Sequence, residues 1–167
     1  ALPPKKKHKI GPYKIDTDLL TAYDENQYWI IDEETKQASL NLQETLKEFS
    51  IQADIIGIRK GPVVTMFEIL PAPGVKLSKI VGLADNIALR LAAQSVRIVA
   101  PIPGKRAVGI EVPNADRAIV SFRECIEQPR KEWTKMAVPV VLGKDIEGET
   151  QIMDLVKTPH LLIAGST

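Results

Sequence analysis

Twice between residues 41 and 112 the chain passes from a helical pattern into a pair of β-rich runs joined by a turn of Pro, Gly and basic residues. Asn41 followed by Glu44 has the spacing of a capping box, and Leu42, Leu46 and Phe49 then share one helical face that ends near Ser50. The runs Ile51 to Ile58 and Val63 to Leu70 follow, split by Arg59-Lys60-Gly61-Pro62. In the second run Val63, Thr65, Phe67 and Ile69 alternate with Val64, Met66, Glu68 and Leu70, the period of two of a strand. Pro71-Ala72-Pro73-Gly74 ends it, because proline has no N–H to give to a ladder. Ser78 is placed to cap a helix whose stripe is Ile80, Leu83, Ala84, Ile87, Ala88 and Leu91. The second β pair, Val96 to Ile102 and Ala107 to Val112, surrounds Pro103-Gly104-Lys105-Arg106 and stops at Pro113-Asn114. The order helix, hairpin, helix, hairpin predicts an α+β domain over residues 40–115, with helices packed on one face of a sheet.

The flanks read differently. Residues 1–39 lack sustained periodicity and predict a largely flexible linker with local anchors at Tyr13, Leu19, Leu20, Tyr28, Trp29 and Ile30. From Asp116 a helical pattern runs through Ile119, Phe122 and Ile126 and stops before Pro129, so residues 116–136 predict a connecting helix and linker. Val138 to Leu142, Gln151 to Met153 and Leu161 to Ala164 are short apolar runs with no helical pattern between them to cover them. Residues 137–167 are therefore expected to open another domain, and either to pack onto the first or to make the chain prone to associate.

With 44% hydrophobic and 26% charged residues, the 167-residue chain can bury a core, which excludes wholesale disorder. Its net charge of +1 conceals a basic tail of +4 over residues 1–10, an acidic stretch of −7 over 16–48, and a balance of +5 over 49–135. The small total therefore does not argue against a polyanionic partner. Lys5-Lys6-Lys7-His8-Lys9 suits phosphate or anionic lipid, but a like-charge run of this kind reads first as a solvated tail. The single cysteine, Cys125, cannot form an internal disulfide and lies on the apolar side of its helix, as a small buried hydrophobe does. His160 lacks neighbouring Cys or His and is a poor metal candidate, so no metal site is expected. Trp29 and Trp133 read as linker anchors, and nothing in the spacing brings Glu68 and Glu111 together as a catalytic pair. No apolar run reaches the length of a membrane span and no signal core follows the N-terminal lysines, so the chain is expected to be soluble.

Several strings occurring in order resemble segments of the FtsK/SpoIIIE family of bacterial DNA translocases. These are Gly61-Pro62-Val63-Val64-Thr65-Met66-Phe67-Glu68, Pro71-Ala72-Pro73-Gly74-Val75-Lys76-Leu77-Ser78-Lys79-Ile80, Ile102-Pro103-Gly104-Lys105 and Val108-Gly109-Ile110-Glu111-Val112-Pro113-Asn114. Leu142-Gly143-Lys144-Asp145-Ile146-Glu147-Gly148 and Thr158-Pro159-His160-Leu161-Leu162-Ile163-Ala164-Gly165-Ser166-Thr167 resemble the start of that family's motor domain. The resemblance implies a hexameric, ATP-driven ring that moves chromosomal double-stranded DNA during cell division or sporulation, anchored in the cell membrane by a region this chain lacks, with the present region cytoplasmic. Residues 40–115 would be its α domain, part of the ring and a transmitter of force, and 137–167 the first strands of a RecA-like motor domain. ATP and Mg2+ would be cofactors of the full-length protein. Gly165, Ser166 and Thr167 would begin the nucleotide loop, and since the chain ends before the loop's lysine, no cofactor binding or ATP hydrolysis is expected of it alone.

The candidate DNA-binding residues are Arg59, Lys60, Lys105 and Arg106, expected at hairpin tips where long cations reach the phosphates of a duplex passing through a ring. Charged tips also suit ordinary solvent-facing hairpins. The alternative reading is a non-enzymatic oligomerisation or nucleic-acid-binding α+β module without a motor.

Overall fold

In the computed structural model, which describes residues 16–23, 28–127, 131–158 and 160–164, the first long element starts well before Asn41. Helix α1 (Glu33–Glu48) is capped by Asp32, whose carboxylate accepts from Thr35 N at 2.9 Å and from the Thr35 hydroxyl at 2.7 Å. Glu33 and Glu34 in the first turn and Lys47 in the last complement the helix dipole. The acidic run that reads as linker is thus a cap and a first turn. Asn41 lies inside the helix, where its side chain accepts from Gln37 at 2.9 Å and its carbonyl takes the Thr45 hydroxyl at 2.7 Å. The helix closes with Ser50 in a left-handed conformation (φ 57°), which lets Ile51 N reach Leu46 O at 2.8 Å. Leu42 and Leu46 are fully buried, whereas Phe49 sits past the last turn and stays partly exposed.

Four strands form one antiparallel sheet in the order β1-β2-β4-β3: β1 (Ala53–Lys60), β2 (Val64–Pro71), β3 (Arg97–Val99) and β4 (Val108–Pro113). Register decides which side chains share a face. Thr65, Phe67 and Ile69 stand opposite Val112, Ile110 and Val108, and this face packs on Leu42 and Leu46 of α1 and on Ile80, Leu83 and Ile87. Met66 and Glu68 stand opposite Glu111 and Gly109 on the other face. Asn114 pins the open end of the sheet: it donates to Gly61 O at 2.8 Å and accepts the Thr65 hydroxyl at 2.7 Å.

The stripe expected in one helix is buried at Ile80, Leu83, Ile87 and Ala88, but it is carried by two short helices, α2 (Leu77–Val81) and α3 (Ala84–Arg90). The break falls at Gly82, a poor helix former, and Ser78 lies within α2 while Lys76 precedes it with no side-chain cap. β3 is shorter than its apolar run, ending at Val99. Residues 117–121 are not helical; Ala118 N bonds to Pro62 O at 2.8 Å instead, and only α4 (Phe122–Glu127) forms. Cys125 on α4 is buried, as expected.

β5 (Pro139–Lys144) and β6 (Thr150–Asp154) make a separate antiparallel hairpin. Leu161 to Ala164, expected to be a strand, form none, and Leu162 is 90% exposed. The architecture is mixed α and β with antiparallel sheets throughout the described residues. Among those residues no helix is long and apolar enough to cross a membrane.

Candidate functional site

Of the four cations expected at hairpin tips, two are strand residues. β1 runs through Lys60, so Arg59 and Lys60 are neighbours in a strand and point to opposite faces of the sheet. Lys60, opposite Thr65 on the helix side, donates to Asp32 Oδ2 at 2.5 Å. That bond, followed by those from Thr35, holds the Asp32 carboxyl well below the usual carboxylate range. Arg59, opposite Met66 on the outer face, donates from Nε to Glu68 Oε1 at 2.7 Å.

Lys105 and Arg106 do lie in the turn before β4, and Lys105 folds back over the outer face to reach both Glu68 oxygens at 2.7 and 3.0 Å. Arg106 is exposed and makes no ion pair among the described residues. Glu68 is the centre of this cluster, with a side chain only 8% exposed. The hydrogen bond from Lys105, helped by the charge of Arg59, outweighs burial and lowers its pKa. Glu111 shares the outer face on the next strand, opposite Met66 and diagonal to Glu68, and takes its own cation, Arg97, at a long 3.4 Å. The two acids are neighbours that serve separate ion pairs.

A second group of residues, absent from the sequence-based candidates, ties the β5–β6 hairpin to the first sheet. In its turn Asp145 Oδ1 accepts from Glu147 N at 2.9 Å and Glu149 N at 3.0 Å, and Gly148 adopts φ 80°. This shape presents Glu147 to Arg59 Nη1, so one guanidinium spans two carboxylates from two sheets. Beside it the hairpin touches backbone: a Cβ on Gly61 would stand 2.3 Å from Ile146 O. Lys144 of β5, almost wholly buried, donates to Glu124 of α4 and to the Tyr28 hydroxyl at 2.9 Å. Burial opposes its charge, but the bonds to Glu124 and Tyr28 prevail and its pKa is raised. Tyr28 is therefore a real anchor, whereas Leu19 is 81% exposed, Trp29 and Ile30 are exposed, and Tyr13 lies outside the described residues.

The only signal in the sequence for this junction is the turn chemistry of Asp145 and Gly148, which marks a bend without naming what it meets. Gly165, Ser166 and Thr167 lie outside the described residues, as does the basic tail. His160 is exposed, and no cluster of three or more His, Cys, Asp or Glu able to hold a metal occurs among the described residues.

The sequence that builds this sheet and its ionic cluster matches a known family. The FtsK alpha domain family covers residues 16–114, more than half of the chain. The chain belongs to the FtsK alpha domain family. The family match takes in the Asp32 cap and the Arg59, Glu68 and Lys105 cluster, and Glu147 lies beyond it. Relatives called DNA translocase FtsK include one from Treponema pallidum, 57% identical over 161 residues, 96% of this chain and 20% of the relative. Another, from Borreliella burgdorferi, is 56% identical over 137 residues, 81% of this chain and 17% of the relative. A third, from Listeria monocytogenes, is 47% identical over 158 residues, 95% of this chain and 20% of the relative. The chain thus spans about a fifth of the length of these FtsK relatives.

Proposed function

We propose that this chain is part of a longer DNA translocase, a hexameric ATP-driven ring that moves chromosomal double-stranded DNA during bacterial division or sporulation. The observation that carries this is 57% identity over 161 residues to a protein called DNA translocase FtsK, which extends the likeness past the alpha domain into β5 and β6. In this reading residues 40–115 build the ring's α domain and 116–136 connect it to 137–167, the opening of a RecA-like motor domain. The hairpin's ion pair with Arg59 and close approach to Gly61 on the sheet side, together with the bonds of Lys144 to Glu124 of α4 and to Tyr28, support a force-transmitting role, because a motor moving β5 and β6 would pull on the α domain through them.

Double-stranded DNA is the partner in this proposal. Arg106 is the first candidate for a phosphate contact because it is exposed and makes no ion pair among the described residues. Arg59, Lys60 and Lys105 would contribute only to the extent that DNA competes with Glu68, Glu147 and Asp32 for them. ATP and Mg2+ belong to the longer protein, with Gly165, Ser166 and Thr167 as the first residues of the nucleotide loop, and so does the membrane anchor.

The test is direct. The codons after Thr167 should encode Gly, any residue, Gly, Lys and then Ser or Thr, and the protein extended through that motor should hydrolyse ATP faster when duplex DNA is added. A different continuation, or an extended protein whose hydrolysis ignores DNA, replaces the motor with a non-enzymatic oligomerisation or nucleic-acid-binding module.

A further inference from the structure

Arg59 has two acidic partners of unlike character. Glu68 is 8% exposed and is held a second time by Lys105, so it is a fixed anchor that orients the guanidinium through Nε. Glu147 is 48% exposed, stands on a turn from another sheet, and meets the other edge of the guanidinium at Nη1. A carboxylate and a phosphate offer the same pair of acceptor oxygens to that edge, and arginine binds either in the same fork geometry. The close approach of Ile146 O to Gly61 means that Glu147 reaches Arg59 only while the hairpin tip rests on the β1–β2 turn. Docking the hairpin and covering Arg59 are therefore a single event.

We propose that Glu147 is an internal stand-in for a backbone phosphate: while the β5–β6 hairpin is docked it occupies the open edge of Arg59, and undocking hands that edge, beside Lys105, to duplex DNA. The inference rests on the reading that this region contacts DNA, and adds that the contact is gated by the junction with the motor. Glu68 keeps Arg59 extended along the outer face in both states, so the released cation is already oriented.

The experiment uses this chain, Glu147→Gln and Glu147→Gln/Arg59→Gln, titrated with a short random-sequence duplex at two salt concentrations. The single variant should bind about tenfold more tightly at low salt, with a salt slope steeper by about 0.9 for the added phosphate contact, and the double variant should lose the gain. Hydrogen exchange without DNA supplies an arm independent of binding: Glu147→Gln should speed exchange in β5 and β6 several-fold and leave β2 and β4 unchanged. Duplex binding that is the same with Glu or Gln at 147 overturns the gate and leaves the proposed function standing. A gain that survives in the double variant reduces the effect to removal of a negative charge and also overturns the gate. Unchanged exchange in β5 and β6 removes the docking half of the inference. No duplex binding by any of the three proteins removes the DNA contact itself, and the gate with it.

Discussion

Glu68 keeps its charge on a nearly covered face because Lys105 Nζ meets both its oxygens, at 2.7 and 3.0 Å, and Arg59 Nε meets one of them at 2.7 Å. Replacing it with glutamine leaves two cations facing a neutral amide, at a cost of about 1–3 kcal/mol at neutral pH. The sign of the pH dependence follows from the lowered pKa, set first by the bond from Lys105. In the unfolded chain the carboxyl titrates near 4.5, so on acidification the unfolded state takes up the proton first. The contribution of Glu68 is complete above that value and is lost as pH falls through the lower value of the folded state. Thermal unfolding of the natural chain and of Glu68→Gln should differ most at neutral pH and converge as pH is taken below 4.5. A gap that stays constant on acidification would trace the loss to packing instead of charge. The cations of this cluster were legible in the sequence from their Pro and Gly neighbours, but their partners were not. Glu68 reaches Arg59 through a strand register that shifts between Ile55 and Gly57, and Glu147 arrives from a different sheet.

At the scale of elements, two glycines separate a contact that must break from one that can yield. On Gly61 an added Cβ would meet Ile146 O at 2.3 Å and its carbon at 2.9 Å, both backbone atoms that cannot turn aside. On Gly109 it would meet Met66 Sδ at 3.0 Å and Ile102 Cγ1 at 3.3 Å, ends of side chains that can shift. Gly61→Ala should therefore displace the hairpin and cost about 1–3 kcal/mol, read as faster hydrogen exchange in β5 and β6 with the first sheet protected as before. Gly109→Ala should cost less than Gly61→Ala and leave the exchange of β5 and β6 unchanged. Equal effects from the two would mean that the hairpin does not rest on the β1–β2 turn. Period and punctuation made most elements visible: Ile80, Leu83, Ile87 and Ala88 of the stripe are buried as read, while β2 is buried on both faces from Thr65 to Ile69. What stayed hidden was set by competition between local rules. Asp32-Glu33-Glu34 fits a linker by composition and a helix start by capping, and capping prevails once Thr35 and Lys60 close around Asp32. One stripe became two helices because Gly82 weakens the middle, and Asp116 to Ser121 lost its helix to a bond between Ala118 and Pro62.

For the whole molecule, the same face that binds α1 and α2–α3 through apolar contact forces the outer face to meet the hairpin through charge, since a sheet has only two sides. A two-stranded hairpin is marginal alone, so β5 and β6 depend on these polar ties and on the buried Lys144 for their order. Their remaining apolar surface is left outward. Leu142, Val156, Leu162 and Ile163 are all exposed, and among the described residues Leu161 to Ala164 have no strand beside them to complete a sheet. The hairpin is packed through Arg59 and Lys144, whereas the apolar segment after it is uncovered. The natural chain should associate as its concentration rises, and Leu162→Ser/Ile163→Ser should weaken that association in sedimentation velocity. Because both side chains are exposed, the double variant should change folding stability by no more than about 0.5 kcal/mol. Persistent association in the variant would assign the adhesive surface elsewhere. A large loss of stability would mean instead that Leu162 and Ile163 already cover part of this chain, in conflict with their exposure.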